Sequence, residues 1–523
     1  MKNLIIIIYI FCQGLVLSQS NYIVRWGELK TKSGRLINLL PVSGDDFYSL
    51  SYSGGNTLGS FRLTHHIDFD KYASGRIVKK AANGIANFED VKVINNRIFV
   101  FLSDRFSGQS QFYIQEYDNE ALPIGEAKEI ASYSLDKIAN KGFFSVITSR
   151  DNNYLGVVWE IPSNKDRSDR YGYKIFDAEL NELNSGEYEL PFEGRFSEIS
   201  EHYLSNTGDY FICVKEFMKS DRTSLIKHMD YKAMHILHAT EDGIEDFELN
   251  LEGKRVEAMT MNSDNERILT LTGVYGDNNI PGVSGIFYVR ANFDSQEVVD
   301  QGFEAFGKDF ITQDWTERQR ERAERRIQRG RAEPQLYNYV MRQSEVMEDG
   351  SIVGSLEQYF VQVYTYTDPR TGTFRQTFTY YYNDIVAFKI GVNGGFDWLK
   401  KINKYQVSTN DGGPFSSYAR FINNGKLCFI FNDNEKNYDE FGNYIENENV
   451  FYPANFGKRR NAVSIVEIDL NDGSVQRKTF FDREEITALA IPKLFQMDYQ
   501  LNEMLLYAVY GRKERFGILP LKD

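Results

Sequence analysis

The sequence predicts an all-β protein, a β-propeller of about eight four-stranded blades (alternatively seven), with one charged helix inserted. Three observations predict it. A pair of strand-like runs recurs eight times, and the first members of the early pairs start 50–57 residues apart. No segment shows the 3.6-residue apolar stripe that stacked helices need. The runs are rich in β-branched and aromatic residues, in a chain with 38 Phe and 33 Tyr against 4 Trp, and strand surfaces take such side chains readily.

In order, the pairs are 47–52 with 61–67, 97–102 with 111–117, 154–161 with 173–178, 210–215 with 233–239, and 267–275 with 285–293. A longer sixth pair, 351–366 with 377–390, precedes 426–431 with 462–470 and 504–510 with 516–521. Between pairs there is room for two more strands, as at 187–190 and 197–204 or at 246–251 and 255–261. Four short strands per repeat make a propeller blade. The last pair leaves no chain for an outer strand, whereas 22–26 is a strand-like run with no partner of its own. Pairing the two closes the ring and removes its exposed edges. Two smaller β domains divided near 300–335 are the other architecture the pattern allows.

The N-terminus has the make-up of a secretory signal. Met1-Lys2-Asn3 leads into the apolar run 4–11 and Leu15-Val16-Leu17, with Ser18 and Ser20 as small residues for a peptidase. The run is shorter than the roughly 20 apolar residues of a membrane span. Residues 1–18 are expected to be removed before Gln19, leaving 19–523 as one propeller domain with a helical insertion at about 307–334. A lipoprotein signal at Cys12 wants small residues where Tyr9-Ile10-Phe11 stand. Cys213 and Cys428 sit in apolar runs and read as buried thiols, so no disulfide framework is expected. The expected location is the periplasm or the outer-membrane surface, soluble after signal cleavage and without a transmembrane segment.

With 60 Lys+Arg against 74 Asp+Glu, a net charge of −14 argues against general nucleic-acid binding. The one basic stretch is 316–333, where Arg318, Arg320, Arg322, Arg325, Arg326, Arg329 and Arg331 outnumber Glu317, Glu321, Glu324 and Glu333. Its composition, the Glu321–Arg325 i,i+4 pair and the punctuation at Gly330 and Pro334 predict a helix. With Ile327 almost its only large apolar residue, that helix lacks a core-facing stripe. It is a solvated insertion or, through Arg318, Arg322, Arg325 and Arg329, a basic contact for an acidic partner or for lipid headgroups.

The sixth strand pair flanks the turn Asp368-Pro369-Arg370-Thr371-Gly372 with six tyrosines. Cross-strand packing accounts for such residues. The alternative is a binding ridge of Tyr364, Tyr366, Tyr380 and Tyr381, because tyrosine combines large contact area with a polar tip.

Catalytic signatures are scarce. Of the six histidines, His65 with His66 and His235 with His238 are placed on strands so that each pair points to opposite faces, which rules out a shared metal. His202 and His228 read as structural or surface residues. The G-x-S-x-G elbow, the phosphate-cradling loop and the dinucleotide fingerprint are missing. Carboxylate pairs for glycoside hydrolysis stay open, since their separation is a three-dimensional quantity. Ser408-Thr409-Asn410-Asp411-Gly412-Gly413-Pro414-Phe415 is a single degenerate copy of the S-x-D-x-G-x-x-W turn of sialidase-like propellers. Asp433, Glu435 and Asp439 alternate as calcium-loop oxygens do, but Tyr438 stands where an EF-hand loop needs Gly. The expectation is a solvated loop, with neither metal nor cofactor.

From 358 to 437 the chain resembles a set of uncharacterised secreted propeller-like proteins from Bacteroidota. The resemblance rests on Tyr380-Tyr381-Tyr382-Asn383-Asp384-Ile385, Phe396-Asp397-Trp398-Leu399-Lys400-Lys401-Ile402, Asp411-Gly412-Gly413, Phe415-Ser416-Ser417-Tyr418 and Phe431-Asn432-Asp433. It covers the second half specifically and the first half only in style. It implies a β-rich secreted fold and carries no activity or catalytic residue. The stretch 516–523 does not resemble the sorting domain that exports proteins in that phylum, which favours the periplasm.

These readings together predict a non-enzymatic secreted or periplasmic propeller that serves as a protein-interaction platform in the cell envelope. The alternative is a carbohydrate-active propeller, either glycan-binding or a glycoside hydrolase. Convergent carboxylates and aromatics at the ring centre would favour the alternative, and an apolar or charged patch on the rim would favour the platform.

Overall fold

The computed structural model describes residues 22–522, apart from 55–58, 136–142, 162–167, 195, 219–230, 241, 250, 264–266, 278–281, 314, 330–334, 368–369, 371, 447–449, 457–459 and 482–487. The expected signal 1–18 with Cys12, His228, the helix-end residues Gly330, Arg331, Glu333 and Pro334, and the turn residues Asp368, Pro369 and Thr371 lie outside the described residues.

Eight antiparallel blade sheets follow one another along the chain, with a two-stranded hairpin, Lys80–Ala81 with Gly84–Ile85, between the first two; in six of the eight the strands pair strictly in chain order. Blade one runs from Arg35–Ser43 to Asp70–Arg76, blade two from Asn87–Ile94 to Lys128–Ser134, and blade three from Phe144–Thr148 to Glu182–Glu193. Blade four runs from Ser197–Leu204 to Gly243–Leu249 and blade five from Lys254–Ser263 to Glu297–Ala305. Blade six comprises Tyr339–Val346, Ile352–Thr367, Phe374–Ile390 and Phe396–Ile402, with Gln406–Thr409 added beside the third strand. Blade seven runs from Ala419–Asn423 to Val475–Thr479.

The eighth blade is composite. Glu503–Tyr510 and Lys513–Pro520 are flanked on one side by Leu489–Ala490 and Gln496–Asp498, and on the other by Arg25–Trp26 and Lys30–Thr31. Arg25 stands opposite Ile518 and Trp26 opposite Gly517, so the N-terminal run supplies the missing outer strand. Gly517 permits the contact, since a Cβ there would lie 2.6 Å from the Trp26 ring.

The core explains why the sheets form a ring. Eight clusters of buried apolar side chains lie between consecutive blades. The one that closes the circle joins Leu36, Leu39 and Phe47 of blade one to Leu505, Tyr507, Phe516 and Ile518 of blade eight. Across the region 300–335, Val274 and Ile286 of blade five pack with Leu356, Val386 and Phe388 of blade six. Each large apolar side chain buried in this way contributes about 1.5–3 kcal/mol. The first strands of blades one and two, and of blades three to six in succession, touch one another, which puts first strands on the inside of the ring.

Helices α1 (Lys308–Thr312) and α2 (Glu317–Gln328) connect blades five and six. The Thr316 backbone N–H donates to Gln319 Oε1 at 2.8 Å and opens α2, while Arg320 donates to the carbonyls of Thr312 and Gln313 and ties α2 to the end of α1. Differences from the expected elements are small. The strand expected from 267 starts at Ile268 because Arg267 adopts φ +62° in the preceding turn. The strand expected from 377 starts at Phe374, extended by pairing of Gln376 with Thr365 and Arg375 with Tyr366.

Candidate functional site

In a four-strand meander, the turn between second and third strands lies on the opposite side of the ring from the other two turns. The longest strand pair, in blade six, therefore projects from one side. Residues 352–357 of its second strand are buried between blades, whereas 362–367 are exposed. Val, Thr, Tyr and Phe keep the outer part extended without burial. At the point of emergence a bulge at Gln358 shifts the register between Glu357 and Tyr359.

The register divides the tyrosines between two faces, which corrects the single ridge expected of them. Directly opposed residues share a face. Tyr364 and Tyr366 lie with Phe360 and Tyr381, whose rings stack at 4.5 Å. Tyr380 lies on the other face, with Val361, Val363, Phe378 and Phe374. Both faces stand open at the tip, where Phe374 is 74% and Tyr364 64% exposed.

Below the hairpin, Glu357 is fully buried. Its Oε2 accepts from Arg342 Nε (2.9 Å), Arg342 Nη2 (2.6 Å) and Ser417 Oγ (2.9 Å), and its Oε1 from Lys404 Nζ (2.8 Å). Lys404, only 1% exposed, also donates to the Tyr382 carbonyl (2.8 Å) and to Gln406 Oε1 (3.2 Å). Burial pushes the Lys404 pKa down, with Glu357 pulling it the other way. This network joins the base of the hairpin to the connection into blade seven. Arg342 also lies over the Tyr359 ring, which packs at 4.6 Å on that of Tyr382. Gly413, in the connection (φ +62°), sits so close that a Cβ would meet the Tyr382 ring at 2.7 Å. From blade eight, the 3₁₀ turn Pro492–Leu494 brings the Lys493 ammonium to 5.0 Å from the Tyr382 centroid.

The opposite opening of the ring is bridged. Arg150, between the first and second strands of blade three, ion-pairs with Glu345 on the inner strand of blade six and lies 5.4 Å from the Tyr499 ring centroid of blade eight. Arg420 of blade seven donates to the other Glu345 oxygen at 3.1 Å. Burial raises the Glu345 pKa, but Arg420 and Arg150 outweigh it and hold the carboxyl below its usual range.

Arg318, Arg322, Arg325 and Arg329 recur at spacings of four, three and four and form one exposed stripe along α2 and its C-terminal cap. Arg325 pairs with Glu321 at 2.6 Å. Asp433, Glu435 and Asp439 do not converge. Asp433 is buried, pairs with Arg477, and accepts from Tyr438 (2.7 Å) and Asn437 (2.8 Å). Glu435 begins a 3₁₀ turn, and Asp439 faces outward and accepts from the Phe441 and Asn443 backbone N–H groups. Among the described residues no group of three or more His, Cys, Asp or Glu stands as a metal site would. His65 and His235 face the opposite way from His66 and His238: His65 bonds Asp46 and His66 bonds Ser49, while His235 bonds Asp246 and His238 stacks on Phe211.

The sequence reading missed Arg342, Glu357, Lys404 and Lys493. The available signal was Glu357 itself, a lone carboxylate at the end of the buried run Ile352-Val353-Gly354-Ser355-Leu356.

No family model matches the sequence, and no curated protein matches it. Among solved structures, the chain is similar to polysaccharide lyase Uly1 at 10% identity, covering 87% of this chain and 94% of that one, with a TM-score of 0.34. It is also similar to prolyl oligopeptidase B from Galerina marginata at 10% identity, covering 94% of this chain and 56% of that one, with a TM-score of 0.36. A Synechocystis ACO mutant matches at 9% identity over 88% and 94% of the two chains, with a TM-score of 0.32. At such scores these likenesses carry no argument about function; the fold rests on the strand pairing and the ring of clusters.

Proposed function

We propose that this protein is a non-enzymatic interaction platform of the cell envelope, secreted by its N-terminal signal, with the blade-six hairpin as its docking element for a protein partner. The observation that carries this reading is the hairpin's projection beyond the blade with aromatic and aliphatic side chains open on both faces. Rigid strands that present Tyr and Phe at low entropic cost suit recognition. The carboxylates Glu345 and Glu357 at the two openings are each held by two basic partners, which leaves Glu201 as an inner-strand carboxylate without one among the described residues. The α2 arginine stripe is a second contact surface within the same reading.

The test is in-cell crosslinking followed by affinity purification of the tagged protein from envelope fractions. One variant replaces 361–380 by a tight turn, and a second changes Arg318, Arg322, Arg325 and Arg329 to Ser. A stoichiometric protein partner is expected with the wild type and lost with the shortened hairpin. A wild-type protein recovered alone overturns the platform, and a cytoplasmic protein overturns its location.

A further inference from the structure

We propose that the ring opening beside the hairpin is a carboxylate site, built from Lys493 and Arg342, that takes an acidic extended peptide. This rests on the platform reading and gives its partner a chemistry.

Three observations support it. Lys493 is partly exposed and lies over the Tyr382 ring, and among the described residues no carboxylate stands at ion-pair distance from it. Arg342 uses Nε and Nη2 on Glu357, is about one-third exposed, and keeps Nη1 for another acceptor. Arg35, exposed on the inner strand of blade one, stands close enough to act electrostatically on Lys493. Against these cations the neighbourhood sets Glu357, already shared by two partners, and the exposed Asp411. The opening is thus locally positive in a chain of net charge −14. Burial lowers the Lys493 pKa, with Glu357 and Asp411 acting in the opposite direction, so an incoming carboxylate would favour the charged ammonium.

The choice of peptide over glycan comes from the rings. Sugar recognition uses an open aromatic face, but Tyr382 is only 8% exposed with Lys493 over it, and Tyr359 is covered by Arg342. Charge is what remains open. The adjoining hairpin strand, beyond the Tyr359 N–H that donates to the Asn338 carbonyl, has among the described residues a free edge along which an extended backbone can add.

The experiment titrates fluorescent hexaglutamate and, separately, oligogalacturonate against the full chain, the Lys493→Met variant and the Lys493→Arg variant. Hexaglutamate is expected to bind saturably, about tenfold more weakly to Lys493→Met, with recovery in Lys493→Arg. Binding should also weaken as salt rises from about 0.05 to 0.5 M. Equal binding by Lys493→Met, binding of oligogalacturonate alone, or no binding of either probe overturns the proposal. The crosslinking experiment separates the two readings. A partner captured equally by wild type and Lys493→Met keeps the platform and removes the acidic contact. Capture of no partner removes the platform while the titration still decides the carboxylate site.

Discussion

The two openings of the ring each centre on a glutamate shared by two basic side chains, and they differ in what is left over. On the bridged side Glu345 takes Arg150 from blade three and Arg420 from blade seven, and Arg150 also covers Tyr499 of blade eight. Glu345, Arg150 and Arg420 all meet partners, and the bridge spans the centre. Beside the hairpin Glu357 takes Arg342 and Lys404, both from blade six and its connection, so the network holds the rim and crosses nothing. Lys493 then remains without an ion-paired acid among the described residues. The difference teaches that the same charge triad seals the ring when its cations come from opposite blades, and leaves a binding-competent opening when they come from one.

The largest expected effect tests the claim that Lys404 is structural. Lys404→Met leaves a fully buried Glu357 short of one cation, and breaking a buried pair from one side costs about 3–5 kcal/mol. A large drop in denaturant midpoint is expected, with partial recovery in the Lys404→Met/Glu357→Gln double variant. A midpoint unchanged in the single variant would place Lys404 with Lys493 rather than with the scaffold.

Glu201 sharpens the comparison from the other side, as an inner-strand carboxylate with no basic partner among the described residues. Burial drives its pKa up to about 7, against hydrogen bonds from the Met261 backbone and the Thr260 side chain. Unfolded, the group titrates near its ordinary value of 4.5. Its folded form prefers the proton, so the stability it allows is complete below pH 4.5 and is lost as pH rises through about 7. The loss is of the order of 2–3 kcal/mol. Glu201→Gln is expected to flatten that part of the pH–stability curve and to stabilise the protein at pH about 8. Denaturation midpoints at acid and alkaline pH check it, and an unchanged slope would mean Glu201 is ionised at neutrality.

Arg150→Ala comes next, at about 1–2 kcal/mol, because Arg420 still holds one oxygen of a Glu345 that is itself partly exposed. The sign to look for is faster hydrogen exchange at the inner ends of blades three and six together. Protection lost in blade three alone would show that the bridge does not couple them.

How much of this was legible follows from range in sequence. The eight strand pairs and the closure by Trp26 could be read because strand periodicity and turn residues are local signals. The two faces of the hairpin were also legible in part, since neighbours such as Tyr380 and Tyr381 always point apart on a strand. Which residues join Tyr380 needed the register, and so the bulge at Gln358. The charge networks were not legible. Arg150 and Glu345 lie 195 positions apart, and nothing in either neighbourhood names the other. Lys493 sits in a segment that reads as a connection, and its place over Tyr382 depends on blade eight reaching past the short inner strand of blade seven.

The smallest expected effect on stability completes the comparison. Lys493→Met removes a cation from the same opening as Lys404, yet it breaks no ion pair. What it loses is one ring contact to Tyr382, worth about 0.5–1 kcal/mol where such contacts are exposed. What it gains is relief from holding a partly desolvated ammonium, whose pKa burial already lowers. The two nearly cancel, and methionine fills a similar volume, so the unfolding free energy read from denaturation should move by less than about 0.5 kcal/mol in either direction. Read beside a strongly destabilised Lys404→Met, that outcome separates a lysine whose charge the fold consumes from one whose charge it leaves available. A destabilisation of Lys493→Met as large as that of Lys404→Met would show that the fold needs both charges, and the two openings would then be equally closed.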